Sequence, residues 1–293
     1  MLVLTLLTAP DRPDLSPAAL ADLPAHWGVG EPRWLADGVA VETTIAAGEI
    51  PDLWDIWPTW QERGMDLVVQ PAEGRRKQVL LSDMDSTMIQ QECIDELADV
   101  AGFGERVSAI TARAMNGELD LTEATLARVA LLEGLPVSVV DTVLAERITL
   151  MPGGAELVGT MRAKGAYTAL VSGGFTPFTA AITDQLGFHE HRANLLFDDG
   201  ERFTGKVQEP VVGAQAKVEA LEQITHRLGL TPQDAIAVGD GANDLGMLGR
   251  AGIGVALHAK PAVQERCDVR LNHADLTGVL YLQGYHQDDF VRP

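Results

Sequence analysis

With 293 residues, 46% of them hydrophobic and 22% charged, the chain can bury a sizeable core and divides most naturally into two domains, one carrying an insertion. A formal charge of −20 excludes nucleic acid as a partner, because binding would bring two polyanions together. Two cysteines argue against a disulfide framework and for a reducing cytoplasm, and no apolar run is long enough to span a membrane.

Met1 to Ala9 imitates a short signal core, but it lacks a basic start and meets Pro10-Asp11 at once, so it reads as a buried strand. Pro17 to His26 follows as helix, then Arg33 to Leu35 and Val39 to Ile45 as strands flanking Asp37-Gly38. Leu53 to Arg63 is helical and Met65 to Gln70 extended. The order β-α-β-β-α-β over residues 1–75 predicts a small ferredoxin-like or ACT-like α+β domain. All five tryptophans fall here; Trp54, Trp57 and Trp60 share helical spacing and suggest a packed internal face, although Pro58 should kink or restart that helix. Glu73 to Lys77 reads as a linker into a second domain over residues 76–293.

Val79 to Ser82 is an apolar strand that ends in Asp83-Met84-Asp85-Ser86-Thr87. In extended backbone, residues i and i+2 point the same way, so Asp83 and Asp85 can face one pocket at the mouth of an α/β sheet. Alone, such a pair also caps helices or holds ions without catalysis. Residues 88–149 then read as a helical insertion, with helices over Glu92 to Val100, Arg106 to Met115, Glu123 to Leu132 and Ser138 to Arg147. Breaks fall at Gly102, Gly117 and Gly134-x-Pro136, and Asp120-x-x-Glu123 looks like a capping box.

Ala166 to Val171 is a second strand, running into Ser172-Gly173-Gly174, which is either a turn or a cradle of N–H groups and a hydroxyl for an anion. Arg192 to Phe197 and Phe203 to Val207 read as paired strands around Asp198-Asp199-Gly200. Lys217 lies in the helical stretch Ala214 to Arg227, where a solvated face is its ordinary fate. Ala235 to Val238 is a strand ending in Gly239-Asp240-Gly241-Ala242-Asn243-Asp244; a dinucleotide fingerprint fails here because Asp244 stands where a third small residue belongs. Gly252 to Leu257 and Asp268 to Leu271 complete the sheet, and Tyr281 to Pro293 is expected to be polar and frayed.

The order Asp83-x-Asp85, Ser172, Lys217, Asp240-x-x-x-Asp244, with the acids and the serine at strand ends, resembles the four motifs of the haloacid dehalogenase superfamily. Asp83 to Thr87 with Glu92, Arg128 to Leu132, Val171 to Phe175 and Val238 to Asp244 look like the branch that hydrolyses phosphoserine. The resemblance covers the chain from about Lys77 onward and implies a Rossmannoid parallel sheet with a helical cap. It implies Asp83 as nucleophile and Asp85 as acid and base. Glu92 and Arg128 would bind the ammonium and carboxylate of O-phosphoserine, and Ser172, Gly173, Lys217 and Asn243 the phosphate.

Four carboxylates beside a phosphate dianion are mutually repulsive, by about 4 kcal/mol per unit pair at 4 Å and an effective dielectric of 20. Mg²⁺ suits such oxygen donors. The resemblance places it on the carboxylates of Asp83 and Asp240 and the main-chain carbonyl of Asp85, with Asp244 in support. The resemblance implies that such an N-terminal module, present in some members of that branch, serves ligand binding or association, which makes a homodimer through residues 1–75 a candidate. A phosphotransferase or broader phosphoester phosphatase would share the chemistry; a non-enzymatic amino-acid-responsive protein is the remaining alternative. Leu121, with Met115 nearby, stands where many relatives line the cap with Phe.

Overall fold

A computed structural model describes residues 1–115 and 118–292. The expected helix break at Gly117, and the side chains of Met115 and Leu121, lie outside the described residues. The N-terminal sheet contains β1 (Leu2–Thr8), β2 (Arg33–Ala36), β3 (Ala40–Ile45) and β4 (Met65–Pro71). Its order is β2-β3-β1-β4, all antiparallel, which is the ferredoxin-like arrangement expected.

Helices α1 (Pro17–Ala21) and α2 (Leu53–Glu62) accompany this sheet. Leu4 and Leu6 of β1 pack with Trp27 and Trp60, while Leu7, one position on, points to the opposite face. That opposite face, with Leu35 and Val68, belongs to the core of the next sheet. The two parts therefore share one hydrophobic interior.

The expected helix Pro17 to His26 is wrong in extent. It stops at Ala21, and a separate 3-10 turn covers Ala25–Trp27, because Pro24 cannot continue the hydrogen-bond ladder. Conversely, α2 runs through Pro58 without restarting. The tryptophan face is only partly internal: Trp60 is buried, whereas Trp54 is exposed and stacks under the Arg270 guanidinium at 3.8 Å.

The second sheet is six-stranded and parallel, in the spatial order Val269–Leu271 (β12), Ile253–Leu257 (β11), Ala235–Gly239 (β10), Val79–Ser82 (β5), Tyr167–Phe175 (β6) and Glu190–Asn194 (β7). Its first strand is β5 (Val79–Ser82). The chain then leaves the sheet for α3 (Cys93–Ala101), α4 (Gly104–Met115), α5 (Leu121–Ala130) and α6 (Val139–Glu146). The capping box opens α5 as expected, with Asp120 accepting from Glu123 N–H at 2.7 Å and Glu123 answering on Asp120 N–H at 2.9 Å.

The two crossings into and out of this helical insertion run side by side. Met151 N–H bonds to Met88 C=O at 2.9 Å, Gln90 N–H bonds to Thr149 C=O at 2.9 Å, and Ile89 bridges Leu150. The chain returns through α7 (Gly154–Ala163), β6 (Tyr167–Phe175), α8 (Thr176–Leu186) and β7 (Glu190–Asn194). Next come β8 (Leu196–Asp198), β9 (Phe203–Val207), α9 (Ala214–Arg227), β10 (Ala235–Gly239) and α10 (Leu245–Arg250). Then β11 (Ile253–Leu257), α11 (Pro261–Gln264), β12 (Val269–Leu271) and α12 (Gly278–Leu282) finish the chain.

Two further expectations fail. Arg192 to Phe197 is not one strand: its first half joins β6 in the parallel sheet, and only Leu196 onward pairs antiparallel with β9. The tail from Tyr281 is not frayed, since Tyr281 and Tyr285 are buried, Phe290 packs on the Tyr281 ring and Val291 N–H bonds to Thr160 Oγ1 at 2.8 Å.

The two parts are also tied by polar contacts. Asp66 of β4, fully buried, accepts the N–H groups of Asn272, His273 and Ala274 at 2.9, 3.0 and 2.9 Å. Among the described residues no helix is long and apolar enough to cross a membrane.

Candidate active site

In β5, Val79 and Leu81 face one side of the sheet and Leu80 the other, with both sets fully buried; the strand is central and has no solvated face. Polar function is therefore displaced to its C-terminal end. Asp83 lies just past that end, and its N–H bonds to Val238 C=O of neighbouring β10 at 3.0 Å. The same strand delivers Asp240 and, after the 3-10 turn Ala242–Asp244, Asp244. β6 delivers Ser172 on the other flank.

Lys217 is the centre of charge. It projects from α9, is 0% exposed, and holds Asp83 Oδ1 at 2.7 Å and Asp244 Oδ1 at 2.6 Å with its ammonium. Burial works to depress the Lys217 pKa, yet the two carboxylates win and hold it above the ordinary lysine value. Asp83 is pushed the other way: burial raises its carboxyl well above the usual range, Lys217 opposing and Asp244 adding to the rise. Asp83 Oδ1 also accepts Met84 N–H at 2.8 Å, which fixes the carboxylate's rotation. Asp244 is locked by Gly241 N–H on Oδ2 at 2.9 Å.

Asp85 differs. Its Oδ1 takes Cys93 N–H at 3.1 Å and its Oδ2 faces Ser172 Oγ at 3.4 Å. Burial, then the charge of Glu92, raises it to about 6. Such a group changes protonation near neutrality. Asp240 is raised to about 6 as well, by burial and then by Asp244 and Glu92, and it accepts Thr87 Oγ1–H at 3.2 Å.

Ser172 Oγ accepts Gly174 N–H at 2.8 Å, and a Cβ on Gly174 would lie 2.7 Å from Asp85 Oδ2. Only glycine lets this loop approach the acids so closely. Gly173 is held through its carbonyl, which accepts Asn194 Nδ2–H at 2.8 Å. Glu92, at the N-terminus of α3, accepts Ser86 Oγ–H at 2.7 Å, with Ser86 in the left-handed region at φ 55°.

The structure thus brings Asp83, Asp85, Glu92, Ser172, Gly173, Lys217, Asp240 and Asp244 to one place. Asn243 sits half-buried in the turn between the last two acids. Arg128 is the outlier. It is half-buried on α5, where its Nε–H donates to Ala124 C=O at 3.3 Å; it shares a neighbourhood with Glu92, since both act on Asp95 with opposite sign.

Two further residues shape the site: Asn194, which carries no sequence signal, and Thr87, a member of the Asp83 to Thr87 motif to which the sequence assigned no role. Asn194, buried at the end of β7, spans from Gly173 C=O to Val212 N–H, at 2.8 and 2.7 Å, and so ties the serine loop to the segment that launches α9 and Lys217. Thr87 holds Asp240 across a wide sequence separation.

Oxygens of Asp83, Asp240 and Asp244 all lie within 4.8 Å of one another. These are hard, anionic donors, beside a single ammonium, and they fit a small divalent cation.

A parallel sheet with acids at the C-terminal ends of adjacent strands, a buried lysine between them and a helical insertion above defines a phosphoryl-transfer type of α/β enzyme. The model of haloacid dehalogenase-like hydrolases matches residues 80–249. The chain belongs to that family.

Among its relatives, a probable phosphoserine phosphatase of Schizosaccharomyces pombe is 44% identical over 211 residues, covering 71% of this chain and 70% of the relative. The chain spans 63% and 65% of the length of two others, phosphoserine phosphatases of Archaeoglobus fulgidus and Haemophilus influenzae. A solved structure of a probable phosphoserine phosphatase from Vibrio cholerae superposes with a TM-score of 0.80 at 30% identity, covering 98% of this chain and 88% of that one.

Proposed function

We propose that this chain is a magnesium-dependent phosphoserine phosphatase, freeing phosphate from O-phospho-L-serine, with residues 1–75 and 76–293 as its domains and residues 88–149 as a cap. The observation that carries the reading is the buried Lys217 bridging Asp83 and Asp244, with Asp85 alongside and titrating near neutrality. The similarity to phosphatases acting on this substrate supports it.

Asp83 is assigned as the nucleophile, attacking phosphorus in line to form an aspartyl-phosphate as the serine oxygen departs. Asp85 gives that oxygen its proton, then takes a proton from the water that hydrolyses the acyl phosphate. A carboxyl near 6 can do both. Ser172 Oγ, Lys217 Nζ and the N–H groups around Gly173 hold the phosphoryl oxygens, and Asn243 contacts them from the facing turn. Mg²⁺, held by Asp83, Asp240 and the Asp85 main-chain carbonyl with Asp244 in support, would offset the negative charge that these acids and the substrate bring together.

A phosphate-release panel of L-phosphoserine, phosphothreonine and sugar phosphates, with and without Mg²⁺ and with homoserine as an acceptor, tests the reading. Equal rates on the sugar phosphates would overturn the substrate, and transfer to homoserine the reaction.

Arg128 is assigned to the substrate carboxylate and Glu92 to its ammonium, because a guanidinium grips a carboxylate through paired hydrogen bonds. Arg128→Ala should lower kcat/KM for phosphoserine by roughly a hundred-fold or more, the cost of leaving a desolvated carboxylate unpaired. Phosphoethanolamine, which lacks the carboxylate, should lose little. An equal loss on both substrates would show that Arg128 supports the cap and does not read the substrate.

Metal affinity should follow pH. In the metal-free chain Asp240 titrates at about 6, so protons compete for the site as pH falls through that value. Calorimetric Mg²⁺ affinity should weaken as pH falls through 6, by roughly ten-fold per pH unit for the proton on Asp240, and Asp83, also raised by burial, adds a second proton to displace. An affinity unchanged between pH 7.5 and 5 would exclude Asp240 as a ligand.

A further inference from the structure

We infer that Arg33, Arg75 and Arg76, gathered around Gly284, form a second anion site that takes a small phosphate-bearing oxyanion such as pyrophosphate. Three guanidinium groups meet at one glycine. Arg33 of β2 and Arg76 of the linker each direct Nη2–H at the Gly284 carbonyl, at 3.2 and 3.4 Å. Arg75 lies flat against the same residue: a Cβ there would sit 2.7 Å from its Nη2 and 2.9 Å from its Cζ. Gly284 is in the left-handed region at φ 74°, so glycine serves both the backbone and the close approach. The three groups line a cavity of about 310 Å³, which is the scale of a small-ligand pocket.

The charge does not balance. Glu42, buried behind the pocket, takes Arg75 on both oxygens at 2.5 and 3.1 Å and Arg33 Nε–H at 2.7 Å. Among the described residues Glu42 is the one carboxylate that ion-pairs within this group of three guanidinium groups, with Asp289 acting on Arg76 at longer range, in a chain whose formal charge is −20. Like charges held this close repel. Arg76 is the cation with donors to spare: it forms no ion pair among the described residues, and the Tyr285 ring beneath it, 4.5 Å from Cζ, fixes its plane. Planar forks set around a cavity match a tetrahedral oxyanion with several acceptor oxygens.

This pocket is separate from the catalytic one. Arg75 and Arg76 precede β5, whose C-terminal end leads to Asp83, so the two sites lie towards opposite ends of this central strand. An anion here would join Arg33 of the N-terminal sheet to Arg76 and Gly284 of the catalytic part. Its binding should therefore stabilise the fold.

The test is calorimetric titration of inorganic pyrophosphate, and separately of inorganic phosphate, into the full-length chain in EDTA. It is run on Asp83→Asn, on Asp83→Asn with Arg76→Gln, and on Asp83→Asn with Arg33→Gln and Arg76→Gln. Binding should survive Asp83→Asn, weaken by about ten-fold or more with Arg76→Gln, vanish in the triple variant and weaken steeply with added salt. Pyrophosphate should raise Tm in the first variant and not in the third. Should the triple variant fail to fold, Arg76→Gln decides alone, since that side chain is exposed. Absence of binding at about 10 mM anion would reduce the cluster to a clamp between the two parts, and binding indifferent to Arg76 would place the anion elsewhere; either result overturns the site. Because no turnover is measured, the outcome is independent of the assigned reaction.

Discussion

Replacing Asp83 with Asn should abolish phosphate release while leaving the chain folded. The amide cannot form the acyl phosphate, and loss of a nucleophile from an assembled site typically lowers kcat by about four orders of magnitude or more. Stability should move little or improve. Burial raises the Asp83 carboxyl well above its unfolded value, with Lys217 opposing. A carboxyl raised on folding favours the native state below its unfolded pKa, and that advantage is lost as pH rises through the folded pKa. The ionised form of buried Asp83 is therefore a cost, tolerated for its chemistry, and Asn removes it while its amide oxygen can still accept from Lys217 and Met84 N–H. Phosphate release with Mg²⁺ present, and urea unfolding at pH 7 in EDTA, separate the two effects. Residual turnover within a hundred-fold of the wild type would assign the nucleophile elsewhere; a collapse of stability would attribute the loss to folding.

Much of this was legible in the chain because the informative signals are local. Two carboxylates at i and i+2 after an apolar strand, and Asp240 and Asp244 flanking a tight turn, report their own geometry through backbone periodicity. The parallel sheet and the helical insertion follow from the same periodicities, and both appear as expected. What stayed hidden is long-range. Asn194 looks like any loop residue until the fold sets it between Gly173 and Val212. Asp66 reads as a lone acid in a strand until three N–H groups from residues 272–274 arrive. The split of residues 190–198 into two strands depends on which sheet captures each half, a choice the alternation of that segment does not encode. The C-terminal tail seemed polar in sequence, yet Tyr281 and Tyr285 find a shared interior that its own composition could not announce.

Lys217→Met should be the most destabilising single change in the site. The ammonium is 0% exposed and, among the described residues, is the only cation holding Asp83 and Asp244, whose side chains are 7% and 0% exposed. Removing one member of a buried ionic cluster leaves the others uncompensated, typically at a cost of roughly 3–5 kcal/mol, whereas the intact cluster adds little net stability over an apolar filling. The two carboxylates respond by binding protons. Without the ammonium the cation that favours their charged forms is gone, so protonation is favoured in the folded variant, which should be closest to wild type below about pH 4, where both states are protonated. The deficit should then widen as pH rises towards 7. Urea unfolding in EDTA at pH 4, 5.5 and 7.5 measures that slope, the chelator ensuring that no divalent cation replaces the lost charge. Lys217→Met with Asp244→Asn should recover a large part of the deficit at pH 7.5 and none of the activity, because the second change removes one uncompensated carboxylate and restores no contact to phosphate. A pH-independent deficit would mean that Lys217 stabilises through the packing of its stem and that its charge is neutralised some other way.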